Sequence, residues 1–129
     1  MTGYPYLETF NVSENVLVGA NGCESLGAII RSSALRLEQV SLCGNDFDDN
    51  GLHTLTAALT NAATLQRLSL SSNRSITASG LRALSQLFSS ACPVETLLLE
   101  DMNIGDEGAE ALADGLMGNT TLKHLVLTP

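Results

Sequence analysis

Few of the residue types that carry out chemistry lie close together in this sequence. The two histidines, His53 and His124, are far apart, and neither lies in a local cluster of histidines, cysteines and carboxylates at metal-ligand spacing. The three cysteines, Cys23, Cys43 and Cys92, show no CxxC spacing, and their odd number does not fit a disulfide framework. We therefore expect neither a metal ion nor any other cofactor.

The serines and glycines do not form a catalytic motif either. Residues 69–72 read Ser-Leu-Ser-Ser, without the sharp glycine-flanked turn of a nucleophile elbow and without a matched base. Gly51, Gly80 and Gly108 recur at regular spacing and do not form a phosphate-binding loop. The sequence thus predicts a protein that is not an enzyme.

The same glycines belong to a repeat. The pattern Leu-x-x-Leu-x-Leu-x-x-Asn returns about every 28 to 30 residues, followed each time by a glycine and by leucines at helical spacing. The distance from the glycine to the first residue of the next unit is constant in three units. These pairs are Gly51 and Leu65, Gly80 and Val94, and Gly108 and Leu122. Such repeats build solenoids, in which each unit buries its apolar face against its neighbours.

The repeat divides the chain into a short lead and one domain. Residues 1–6 form the lead, and residues 7–129 form the repeat domain. The predicted units are 7–36, 37–64, 65–93 and 94–121, with a partial unit at 122–129. The first and third units each carry one extra residue after the asparagine, an insertion that a surface loop tolerates at small entropic cost.

Each unit contains two apolar periodicities. Residues 40–42, Val-Ser-Leu, alternate between apolar and polar, which predicts a short strand with one buried face. After Gly51, the side chains of Leu52, Leu55 and Leu59 recur on one face of a helix. Strand followed by helix, repeated, predicts parallel strands joined by helical crossovers, and hence an α/β solenoid.

An asparagine follows the strand in the first three units, at Asn15, Asn45 and Asn73. At Asn45 and Asn73 an inward amide can satisfy backbone groups that have no sheet partner. The fourth unit has Met102 at this position and Asn103 one place later. Either the chain is shifted by one residue and Asn103 takes the place of the asparagine, or the methionine thioether fills the space and the series of amides is interrupted.

These residues resemble the leucine-rich repeat of the ribonuclease-inhibitor subtype. The resemblance is carried by residues 65–73, Leu-Gln-Arg-Leu-Ser-Leu-Ser-Ser-Asn, with residues 80–84, Gly-Leu-Arg-Ala-Leu. It is carried equally by residues 97–99 and 104–112, and it extends over residues 7–129. The resemblance implies a short horseshoe with parallel strands on the concave face, helices on the convex face, and protein binding on the concave face.

The concave face carries one feature that the repeat does not require. Leu98 and Val126 fall at outward-facing strand positions that small polar residues fill in the other units. They are flanked by Arg67, Glu100 and His124, and neighbouring exposed apolar residues with a polar rim are typical of recognition surfaces. The alternatives are that both residues merely favour β-structure, or that a longer parent protein covers them.

Composition narrows the class of partner. The chain has 14 acidic and 6 basic residues and a net charge of −8, which argues against nucleic acid. No apolar run resembles a signal peptide or reaches membrane-spanning length, so we expect a cytoplasmic protein without a membrane partner. Acidic residues cluster in two loops on one rim, either as a solvated edge or as a surface that steers a basic partner. They are Asp46, Asp48, Asp49, Glu100, Asp101, Asp106 and Glu107.

The resemblance also implies two alternative functions. The family includes the GTPase-activating protein for Ran, whose functional arginine lies in its early repeats. The early arginines of this chain are Arg31, Arg36, Arg67 and Arg74. Of these, Arg74, in the inserted loop of the third unit, is the first to test. The family also includes immune receptors of the nucleotide-binding type, in which this chain would be a structural repeat segment.

The last predicted strand, within residues 125–127, is followed by no helix and leaves an open sheet edge. Such an edge can pair with another chain. Either the chain is a piece of a longer repeat protein, which we favour, or the edge is used for self-association.

Overall fold

The computed structural model describes residues 6–13, 20–33, 36–89 and 92–128. Within them, strands and helices alternate along the chain. The strands are β1 (Thr9–Asn11), β2 (Gln39–Ser41), β3 (Arg67–Ser69), β4 (Thr96–Leu98) and β5 (His124–Val126). The helices are α1 (Ala20–Ser32), α2 (Asp49–Leu59), α3 (Ala78–Ser89) and α4 (Gly105–Leu116). The predicted lead, apart from Tyr6, and the final Pro129 lie outside the described residues.

The strands form one parallel sheet in sequence order, β1-β2-β3-β4-β5. The pairing register places Gln39 beside Arg67, Arg67 beside Thr96, and Thr96 beside His124. This is the register that alignment of the repeats predicts. The α/β solenoid of parallel strands and helical crossovers is therefore confirmed.

The core lies between the sheet and the helices. The central residue of each inner strand is almost completely buried, with Val40 1% exposed and Leu68 and Leu97 0% exposed. Leucines from the helices, such as Leu55 and Leu84, fill the same layer. Each unit buries these side chains against the units on either side of it, which is how a solenoid is stabilised.

Asn73 connects two neighbouring units through its buried amide. Its Oδ1 accepts hydrogen bonds from the backbone N–H groups of Asn45 and Phe47, both at 3.1 Å. Its Nδ2 donates to the carbonyl oxygens of Leu42 and Leu70, both at 2.9 Å. The amide thus satisfies backbone groups that no strand reaches, as the sequence pattern predicts.

The fourth unit has the same backbone turn after its strand as the second and third units, but it has no inward asparagine amide at that position. The residue before the asparagine position has a left-handed backbone in three successive units, with φ of 66° at Gly44, 61° at Ser72 and 56° at Asp101. Because Asp101 has the same conformation as Gly44 and Ser72, the residue that follows it, Met102, occupies the asparagine position. Its side chain is partly buried and packs against the core. Asn103 is exposed, and its Nδ2 donates to the Arg74 carbonyl at 3.2 Å. Of the two alternatives, the thioether fills the space.

The repeated glycine marks the place where each helix approaches the preceding unit. A Cβ atom added at Gly51 would lie 2.9 Å from the Cys23 sulfur, and one at Gly108 would lie 2.8 Å from a methyl carbon of Leu81. At Gly80 it would clash with a carboxylate oxygen of the preceding unit. Close approach between units, and not phosphate binding, therefore explains these glycines.

Candidate protein-binding surface

The inner face is the side of the sheet that faces away from the helices, and its residues form three rows across the strands. In the first row, Gln39, Arg67 and His124 are exposed, and Thr96 is half-buried. The second row joins Ser69 of β3 to Leu98 and Val126 of the next two strands, and the third row ends with Glu100 and Thr128. Five of the six predicted site residues therefore lie on one surface. They are Arg67, Leu98, Glu100, His124 and Val126.

Small polar side chains cover the first half of the inner face and bond to one another. The Ser13 and Ser41 hydroxyl oxygens are 3.1 Å apart, and the Ser41 oxygen is 3.5 Å from the Cys43 sulfur. The Cys43 sulfur lies 2.8 Å from the Ser69 oxygen. With Arg67, Leu98 and Glu100 at its edge, this area forms an open depression with a volume of about 370 Å³.

Leu98 and Val126 form what we call the aliphatic patch. They are partners in the register of β4 and β5, and both are half-buried. Adjacent Cα atoms of paired strands are roughly 5 Å apart, so the two side chains are in reach of each other. The patch lies beside the exposed residues His124 and Glu100, and the Glu100 carboxylate accepts a hydrogen bond from the Thr128 hydroxyl at 3.2 Å.

The Arg67 side chain has no hydrogen bond or ion pair to any of the residues that the structure describes. Its neighbours in the row, Gln39 and Thr96, are neutral. Two other basic side chains are paired, Lys123 with Glu95 at 3.4 Å and Arg74 with Asp101. The inner face therefore presents an exposed guanidinium group that is available to a ligand.

Arg74 is separate from this surface and is already engaged. It lies in the loop after β3, where its Nε donates to Oδ1 of Asp101 at 2.9 Å and its Nη2 contacts the same oxygen. Hydrogen bonds from Arg74, and more weakly from Ser72, lower the pKa of Asp101. The pair links the loops of the third and fourth units, a contact that the sequence analysis did not predict.

Several carboxylates of the acidic rim are also engaged within the chain. Asp48 caps its own helix α2, accepting a hydrogen bond from the Gly51 N–H at 2.8 Å. Asp49 accepts from the N–H groups of Thr77 at 2.8 Å and Gly80 at 3.1 Å, at the start of helix α3 in the next unit. A carboxylate at a helix N-terminus satisfies unpaired N–H groups and favours the helix dipole. No local sequence motif indicates that Asp49 caps helix α3, because Asp49 and the start of α3 belong to neighbouring repeat units.

Other kinds of site receive no support from the described parts of the chain. They contain no group of three or more histidine, cysteine or acidic residues arranged to hold a metal ion. Among the same residues, none of the helices is both long and apolar enough to cross a membrane.

Residues 61–85 and 92–113 match the sequence model of the leucine-rich-repeat family. Mouse NACHT, LRR and PYD domains-containing protein 5 is 32% identical over 136 residues, which cover 98% of this chain and 12% of that protein. Rat NLR family member X1 is 33% identical over an alignment that covers 81% of this chain and 10% of that protein. Protein CARMIL of Dictyostelium discoideum is 30% identical over an alignment that covers 97% of this chain and 12% of that protein.

The fold has a solved counterpart in the actin-binding site 2 of leiomodin-1. The two superpose with a TM-score of 0.79 over 97% of this chain and 72% of that one, at 21% sequence identity. The chain is therefore a leucine-rich-repeat solenoid. It spans only 10 to 12% of the length of the three relatives described above.

Proposed function

We propose that this chain is a non-catalytic protein-interaction module that binds a protein partner on its inner face. The observation that carries the proposal is the aliphatic patch, because two adjacent aliphatic side chains interrupt an otherwise polar surface and are bordered by charged groups. The match to the leucine-rich-repeat family and the similarity to a relative named for its LRR domain support an interaction module in general. The acidic rim is the weaker candidate surface, because several of its carboxylates are bonded within the chain.

Replacing Leu98 with glutamate is expected to abolish binding of the partner without unfolding the chain. A carboxylate in the centre of the patch would have to be desolvated on binding, and a loss of at least roughly tenfold in affinity, about 1.4 kcal/mol, is expected. The measurement is affinity capture from the native cell extract, quantified for each retained protein, with circular dichroism to check the fold.

The control for this experiment is Gln86→Glu. It adds the same charge at an exposed position of helix α3, away from the inner face. Proteins retained by the wild type and by Gln86→Glu but lost from Leu98→Glu would support the proposal. Equal retention by all three would contradict it.

We propose the ribonuclease-inhibitor subtype and a cytoplasmic location as the finer description. The helices of 11 to 13 residues after each of the first four strands support the subtype. Cys23, Cys43 and Cys92 are free thiols, and burial raises the pKa of Cys23 and Cys92. Unpaired thiols suit a reducing compartment.

Two further proposals concern the relation of this chain to others. The matches to proteins of the NACHT and NLR type support the alternative that the chain acts as a repeat segment of a larger receptor. The alternative of a small-GTPase regulator would use Arg74, and the pairing of that side chain with Asp101 does not favour it.

We propose two alternatives for the edge of β5, of which we favour pairing with a further repeat unit of a longer protein, and the other is self-association. Leu125 is 39% and Leu127 is 45% exposed, whereas the corresponding Leu97 and Leu99 of the preceding unit are 0% exposed. Such an edge can pair with either kind of strand. Self-association predicts that sedimentation velocity of the isolated chain shows association that rises with concentration and weakens in Leu127→Lys. A strict monomer at high concentration would contradict self-association.

A further inference from the structure

We infer that the partner segment presents a carboxylate to Arg67 and an aliphatic side chain to the patch of Leu98 and Val126. The partner is thus a protein segment with an acidic residue near an aliphatic one, although the chain itself has a net charge of −8. This inference rests on the proposed function, because it specifies the ligand of the same surface.

The first step is the state of Arg67. Its side chain is exposed and forms no hydrogen bond or ion pair within the described residues, and its neighbours Gln39, Ser69 and Thr96 are uncharged. A guanidinium group carries five N–H donors in a planar fork that matches the two oxygens of a carboxylate. The chemical group that complements this position is therefore an acidic side chain.

The second step is that the carboxylates beside this surface already take part in bonds within the chain, whereas the Arg67 side chain takes part in none among the described residues. On the inner face, Glu100 already accepts a hydrogen bond from Thr128. In the loops, Asp101 is paired with Arg74, and Asp49 is held by the start of α3. Net charge governs long-range attraction, whereas charge complementarity at the contact decides which side chain fits. The local preference is thus opposite to the one that net charge suggests.

The third step is the spacing. Leu98 lies one strand over from Arg67 and two residues further along, which places their Cα atoms roughly 8 Å apart from strand spacing and rise. Val126 is one strand further, at roughly 12 Å by the same estimate. The small side chains of Ser69 and Cys43 keep the depression beside Arg67 open. One short segment can therefore reach both the cation and the patch.

The probe for this inference is a random peptide library displayed on phage and selected on the purified wild-type chain. The expected consensus has Asp or Glu within two to four residues of Leu, Ile or Val. A synthetic peptide with the consensus sequence is then titrated by fluorescence anisotropy. Arg67→Glu should weaken its binding at least tenfold, and changing the acidic residue of the peptide to Lys should restore binding to Arg67→Glu.

Two controls separate specific binding from general attraction. Arg82→Glu changes net charge equally at an exposed position of helix α3, away from the inner face, and should leave affinity unchanged. A scrambled peptide of the same composition should bind weakly to the wild type.

The possible failures point to different conclusions. A consensus with Lys or Arg in place of the acidic residue, or equal binding to wild type and Arg67→Glu, would overturn the inference about Arg67. If Leu98→Glu still abolished binding in that case, the proposed function would stand. Enrichment of no peptide at all, or equal binding of the consensus peptide to Leu98→Glu, would overturn both the inference and the proposed inner-face site.

Discussion

Replacing Gly115 with alanine is expected to lower the free energy of unfolding by about 1 to 3 kcal/mol, the range typical of overpacked sites. Helix α4 packs directly on α3 at this residue. A Cβ atom at Gly115 would lie 2.5 Å from the Ser85 Cα and 2.6 Å from the Ser85 carbonyl oxygen. Because these are backbone atoms, a change of side-chain rotamer cannot relieve the clash, and the two helices must separate.

The matched control is Gly27→Ala in helix α1. Gly27 is also buried in a helix, but its nearest neighbour would be the Ala58 Cβ at 3.5 Å, an ordinary contact. Alanine is the better helix former by about 1 kcal/mol, so Gly27→Ala should leave stability unchanged or raise it. Urea unfolding of both variants measures the difference. Equal stabilities would contradict the close packing of α3 on α4.

The second large effect is expected at Asn73. Its replacement by alanine removes the acceptor of the Asn45 and Phe47 N–H groups, which lie in the interior of the solenoid. Leaving a buried donor without a partner costs about 1 to 3 kcal/mol, and two are left here. We therefore expect Asn73→Ala to be among the most destabilising single substitutions in equilibrium unfolding.

Asn103→Ala provides the control for this substitution. Asn103 also donates a hydrogen bond to a carbonyl of the preceding unit, but it is exposed, so water can replace the amide. Its loss should change the free energy of unfolding by less than about 0.5 kcal/mol. A similar destabilisation by both substitutions would mean that Asn73 is not the buried link between units.

Much of the fold could be predicted because the repeat determines which residues of each strand and helix face the core. A strand has a side-chain period of two, so once Val40, Leu68 and Leu97 are aligned, the outward residues on either side of them are determined. This is why the inner-face positions of Arg67, Leu98 and His124 agree with the pairing register. The assignment of those residues to a binding site stays a prediction.

The loops between strand and helix could not be predicted in the same way. Their contacts depend on backbone conformations such as the left-handed Ser72 and Asp101, which no side-chain periodicity encodes. From the sequence, Arg74 is an exposed loop arginine and a candidate functional residue. In the structure it is the partner of Asp101, one unit further along the chain.

The amino-acid sequence by itself therefore determined the solenoid, its buried leucines and the alternation of inner-face residues, because these follow from local periods repeated along the chain. Only the tertiary structure shows which charged groups already have a hydrogen-bond or ion-pair partner. Arg74 and Asp49 form contacts between units, whereas the Arg67 side chain has no partner among the described residues. The physical reason is that a hydrogen bond or ion pair depends on distances across neighbouring units, which become defined only when those units pack together.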